Sequence, residues 1–114
     1  MLRKFLARCA APLPLAALPN NPLLQGLHPP GRQRLQQDLT LLQQCRDLPE
    51  GWPKAAKVLV VQGEQDAIVC PESRAQLLQA LNVARTDHVL RPDEGHALVT
   101  PAVLDLVLRW AGHP

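Results

Sequence analysis

Asp66 and His96 both stand just beyond a strand-like segment, where an open α/β sheet gathers its ligands and catalytic groups. Asp66 closes the run Val58-Leu-Val-Val-Gln-Gly-Glu-Gln-Asp66, and His96 ends Arg91-Pro-Asp-Glu-Gly-His96. Adjacent strands of a sheet lie about 5 Å apart, so the carboxylate is expected within reach of the imidazole if the two strands are parallel neighbours. In that relation a histidine takes and returns a proton, while the carboxylate fixes its tautomer and stabilises the imidazolium. This is the acid–base part of a hydrolytic triad. Either residue alone reads as an ordinary turn aspartate or loop histidine, and the pairing at matched strand ends carries the signal.

A nucleophile is harder to find. Ser73 is the only serine, and its place after Pro71 reads as the first turn of a helix. Cys9 and Cys45 fall on apolar stripes and are expected in the core. Cys70 precedes a helix start, where a thiol pKa can fall, and is the one cysteine with an open reading as a reactive thiol. A metal set would draw on His88, Asp93, Glu94 and His96, but no ligand spacing of a known kind joins them, so neither a metal nor a cofactor is expected. Asp93 and Glu94 read as solvated turn residues, and His28 and His113 receive no role.

The elements that must hold Asp66 and His96 follow from pattern. The unbroken aliphatic run in residues 57–62 predicts an interior parallel strand. Pro71 at a first helical position begins a crossover helix to Leu81, with Ala75, Leu78 and Leu81 on its inner face. Residues 86–91 form a second strand, and the strand–helix–strand unit is expected to be parallel with a right-handed connection. A last helix is capped by Thr100, starts at Pro101 and stops at Gly112; it buries Val103, Leu104, Val107, Leu108 and Ala111 and carries an Asp105–Arg109 pair.

Upstream, Leu2, Phe5, Leu6, Cys9 and Ala10 line one face of an amphipathic helix, with Arg3, Lys4 and Arg8 opposite. Six of the twelve prolines lie in residues 12–31, which therefore read as loop. From Arg32 a helix resumes with Leu35, Leu39, Leu42 and Cys45 on one stripe and ends before Pro49. The division that follows is a helical, Pro-rich segment over residues 1–53 and a strand–helix–strand–helix part over residues 54–114.

A chain of 114 residues supports one core, and 46% hydrophobic content excludes wholesale disorder. Aromatic residues make up only 3%, and the net charge is +2, so a nucleic-acid platform is not expected. No apolar run reaches the roughly 20 residues of a membrane span. The early basic residues suggest a signal peptide only in outline, since Arg8 interrupts the apolar stretch and Pro12 and Pro14 break it. Three widely spaced cysteines indicate neither a disulfide framework nor a zinc knuckle, and a cytoplasmic setting is expected.

The segment Val58-Leu-Val-Val-Gln-Gly-Glu-Gln-Asp-Ala-Ile-Val69, followed by Gly95-His96 thirty residues after the acid, resembles the end of an α/β-hydrolase. The resemblance covers nearly half of the chain. It implies a partial α/β-hydrolase fold with Asp66 as triad acid and His96 as triad base. Phe5-Leu-Ala-Arg8 and the Leu35–Leu48 segment resemble the cap of the pimeloyl-[acyl-carrier protein] methyl ester carboxylesterase group. Two departures stand out: Cys70 intervenes between Val69 and Pro71, and the G-x-S-x-G elbow that bears the family's nucleophile does not occur.

The resemblance therefore implies the carboxyl-terminal part of a serine ester hydrolase, inactive by itself and acting on an acyl ester once completed by an amino-terminal half. A truncated product, an internal start and half of a split enzyme are equivalent at this level. A non-catalytic interaction module is the alternative. Either way the unpaired edge of the first strand is expected to promote self-association or capture of a partner chain.

Overall fold

The computed structural model describes residues 1–20 and 26–112, so His113 lies outside the described residues. The chain is of mixed α/β class and divides into two units, one made of residues 1–19 with 54–114 and the other of residues 20–53. Its elements in order are α1 (Leu2–Ala10), a 3-10 turn (Leu15–Ala17), α2 (Pro29–Gln44), β1 (Val58–Gly63), α3 (Pro71–Ala80), a second 3-10 turn (Val83–Arg85), β2 (Thr86–Arg91) and α4 (Pro101–Trp110).

In the first unit β1 and β2 pair in parallel, from Val58 opposite Thr86 to Gly63 opposite Arg91. The two strands end level, and this register sets the site. Among the described residues they are the whole sheet, so each strand keeps one edge without a ladder partner. α3 makes the crossover, with Pro71 at its start where a missing N–H costs nothing. The Thr100 hydroxyl accepts from the Val103 amide at 3.4 Å and caps α4, and Gly112 takes a left-handed φ of 82° just beyond its end. The Trp110 indole N–H donates to Asp87 at 2.7 Å, tying the end of α4 to β2. Asp105 and Arg109 pair as expected along α4.

The amino-terminal helix does not group with the segment that follows it. Residues 1–19 group with the sheet because α1 bonds directly to the turns after both strands. Among the described residues the buried apolar side chains are Leu6, Cys9 and Ala10 of α1, Val60 of β1, Leu81 after α3 and Val103 of α4.

Several expected buried faces are open. α4 buries Val103 alone, while Leu104 is 59% and Leu108 43% exposed. In α3 Ala75 is exposed, Leu78 half-buried and only Leu81, its cap, buried, and Phe5 of α1 is half exposed. A two-stranded sheet has too little area to cover three helices, so the periodic stripes exist without a surface opposite most of their length.

The second unit consists of residues 20–53. Its helix α2 begins at Pro29 rather than Arg32, since two prolines and a glycine fit a first turn whose N–H groups lack intrahelical partners in any case. The His28 carbonyl accepts the Arg32 amide at 3.0 Å and starts the ladder. The stripe of Leu35, Leu39, Leu42 and Cys45 is exposed throughout, which overturns the expectation of Cys45 as a core residue. So short a segment cannot build a surface large enough to bury it.

Candidate acid–base site

Both site residues sit in turns that leave the parallel strands at the same end. After Gly63 the Glu64 amide still reaches the Arg91 carbonyl at 2.9 Å, carrying the ladder one step beyond β1. The turn then folds on itself around one carboxylate: Asp66 Oδ1 accepts the backbone N–H groups of Ile68 at 2.7 Å and Val69 at 2.9 Å. This Asx-type closure fixes the carboxylate plane before any contact with a partner.

The second turn is stitched to the first. Gln65 donates its amide N–H to the Glu94 carbonyl at 3.0 Å and its side-chain Nε2 to the Pro92 carbonyl, also at 3.0 Å. The approach is so close that a Cβ on Gly63 would collide with the carbonyl oxygens of Glu94 and Gly95. A Cβ on Gly95 would strike the carbonyl of Ala11 at the end of α1. Glycine is required at both positions by space rather than by dihedral angle.

The result is the expected pair. His96 Nδ1 lies 3.0 Å from Asp66 Oδ2. The Asp66 side chain is 9% exposed and that of His96 38%, so the acid is sheltered and the ring reaches solvent. Burial pushes the Asp66 carboxyl up, but the N–H groups of Val69 and Ile68 and the His96 ring together outweigh it and hold the acid below its ordinary value. An ionised Asp66 accepts from Nδ1–H, which leaves Nε2 as the basic nitrogen; among the described residues no hydrogen bond engages it. The extra residue Cys70 does not misdirect the acid, because it serves as the N-cap position of α3 while Val69 closes the Asp66 turn.

A lowered acid has a defined consequence for stability. The contribution of Asp66 is fully present above its unfolded pKa of about 3.9 and is lost as pH falls through the lower folded value. The expected outcome is an unfolding free energy for the native chain that starts to converge on that of Asp66→Asn as pH falls below about 4 and meets it once the pH is under the lower folded value. Urea titrations of both proteins between neutral and strongly acid pH check it, and a constant difference across that range refutes it.

The other candidates fall elsewhere. Ser73 Oγ lies 3.2 Å from Cys70 Sγ at the start of α3, and neither hydrogen-bonds His96 among the described residues. Cys9 is buried, and its thiol is pushed up by burial and by the charge of Asp66 against the opposing effect of Arg8, which suits a core residue and not a thiolate. His88 lies in β2 with Nε2 3.0 Å from Gln62 Oε1, and Asp93 is exposed. Among the described residues no three His, Cys, Asp or Glu side chains converge on a metal position.

Glu94 corrects the reading as a solvated turn residue: it is 8% exposed. Its Oε1 accepts the Thr100 hydroxyl at 3.0 Å, with Arg91 3.9 Å away, so one carboxylate joins the His96 turn to the cap of α4. Sequence reasoning also passed over Arg8, whose guanidinium donates to the Ala67 carbonyl at 2.8 Å. No local pattern marks either residue, because each acquires its role through partners distant in the chain or hidden beneath a turn. None of the described helices is long and apolar enough to cross a membrane. No known protein family, curated protein or solved structure matches the chain.

Proposed function

We propose that this chain supplies the acid and base of a serine ester hydrolase of the α/β-hydrolase type, with the nucleophile carried by an amino-terminal partner segment. The observation that carries the reading is the 3.0 Å Asp66–His96 contact with the far carboxylate oxygen already locked by two amides. Such an arrangement selects one histidine tautomer and leaves Nε2 to take the proton of an attacking hydroxyl and return it to the leaving alkoxide. The hydroxyl and the oxyanion-binding N–H groups come from the partner segment, and an acyl ester is the proposed substrate.

The open face of the sheet unit supports the same reading. The outer edge of β1 and the exposed Leu104, Val107 and Leu108 of α4 match a domain whose remaining strands come from elsewhere. The test is hydrolysis of p-nitrophenyl butyrate by the intact chain, alone and mixed with an amino-terminal α/β-hydrolase fragment bearing G-x-S-x-G. The chain alone is expected to give no turnover above a His96→Ala control. The mixture is expected to turn over, and to lose that turnover with His96→Ala. A burst from the chain alone that depends on Ser73 or Cys70 overturns this assignment.

A second reading, an interaction module without catalysis, draws on the lack of any hydroxyl or thiol bonded to His96 among the described residues. The two readings separate on association. A half-domain is expected to sediment as concentration-dependent oligomers with a broad melt; a sharp, concentration-independent melt of a compact monomer favours the module.

A further inference from the structure

The last turn of α1 touches the residue immediately after each member of the pair. Arg8 donates to the carbonyl of Ala67, next to Asp66, at 2.8 Å, and the Cys9 carbonyl accepts the amide of Ala97, next to His96, at 2.9 Å. The Ala11 carbonyl packs on Gly95. Consecutive residues of one helix end thus grip two turns that belong to different strands.

We propose that the carboxyl-terminal turn of α1 is the positioning element of the Asp66–His96 pair, with Arg8 as its positioning residue. This rests on the acid–base role assigned above. The coupling runs through the peptide planes. The Ala67 carbonyl and the Ile68 N–H belong to one peptide group, and that N–H is the 2.7 Å donor to Asp66 Oδ1. A guanidinium on the carbonyl oxygen holds the plane from its opposite end and polarises the amide, which strengthens its bond to the carboxylate. Arg8 therefore acts on Asp66 through a single rigid plane without touching it.

The other side works in the same manner. The Ala97 N–H lies in the peptide plane that begins at the His96 carbonyl, so its bond to Cys9 sets the backbone angle from which the imidazole projects. Cys9 offers one of the last carbonyls of α1, which has no amide ahead of it in the helix. Leu6, Cys9 and Ala10 are buried, so the turn that grips the site is anchored in the core. Arg8 itself is exposed, and its removal is not expected to open that core.

The test uses the intact chain and amide hydrogen exchange. Arg8→Ala is expected to speed exchange of the Ile68 amide roughly tenfold, the loss of about one hydrogen bond's support. Exchange at Val60, in the middle of the ladder, stays unchanged, and the His96 Nδ1 resonance moves. Arg8→Lys, which keeps a cationic donor, restores most of the Ile68 protection. Unchanged Ile68 exchange in Arg8→Ala, or a rise shared equally by Val60, overturns the positioning role. The underlying pair is tested apart from it: if Asp66→Asn leaves the His96 Nδ1 resonance where it was, the acid–base reading fails whatever Arg8 does.

Discussion

Gly63→Ala is expected to destabilise the chain by about 3 kcal/mol, at the upper end of what an added methyl group costs in a packed interior. The methyl meets the carbonyl oxygens of Glu94 and Gly95, which are backbone atoms and have no rotamer to retreat into. Relief requires the two turns to separate, which stretches the Gln65 amide bond to Glu94 and moves Asp66 away from His96. Gly95→Ala pushes on the Ala11 carbonyl and is expected to act similarly, by lifting α1 from the site. Gly31→Ala is the control: near the start of α2 the new methyl meets only the Leu27 side chain at 3.4 Å, and alanine favours a helix over glycine by up to about 1 kcal/mol. Urea unfolding of the three variants checks the ranking, and a Gly63→Ala midpoint equal to that of the native chain refutes it.

In the hydrolase proposed above, Asp66→Asn is expected to lower kcat by about 10⁴-fold, as loss of the carboxylate does in hydrolytic triads. The structure says how. Oδ1 is held as an acceptor by the Ile68 and Val69 amides, so the asparagine oxygen takes that position and its NH₂ group turns to His96. An N–H donor facing Nδ1 makes that nitrogen the acceptor and moves the ring proton to Nε2. The nitrogen required to accept the nucleophile's proton is then already protonated. Steady-state kinetics of the reconstituted enzyme, with circular dichroism to verify an unchanged fold, measure the effect. A fall of less than about tenfold places the acid–base work elsewhere.

What the residues alone determined was local. The aliphatic run of β1, the proline at the start of α3, the Thr100 cap and the Gly112 stop each depend on near neighbours and on the preferences of single residue types, and each is present within a residue or so of its expected place. The placement of Asp66 beside His96 was legible for a related reason. Once two strands are parallel and in level register, the turns beyond them are neighbours by construction.

Tertiary structure decided what depends on distant partners. Periodicity marked the apolar stripes of α2 and α4 but not whether anything covers them, and Leu42 at 68% exposed and Leu104 at 59% show that a stripe states a capacity for burial, not burial. Glu94 is buried because Thr100 and Arg91 satisfy its carboxylate, a condition set by how the turn packs on α4. Gly63 and Gly95 are required by a backbone approach that no dihedral preference announces. Arg8 looks in sequence like one more charge on the solvated face of a helix; only the fold brings it across 59 residues to the peptide plane that holds Asp66. Local preference acts over a few residues, whereas close packing acts between whichever segments the chain has brought together, and that is where the two kinds of knowledge part.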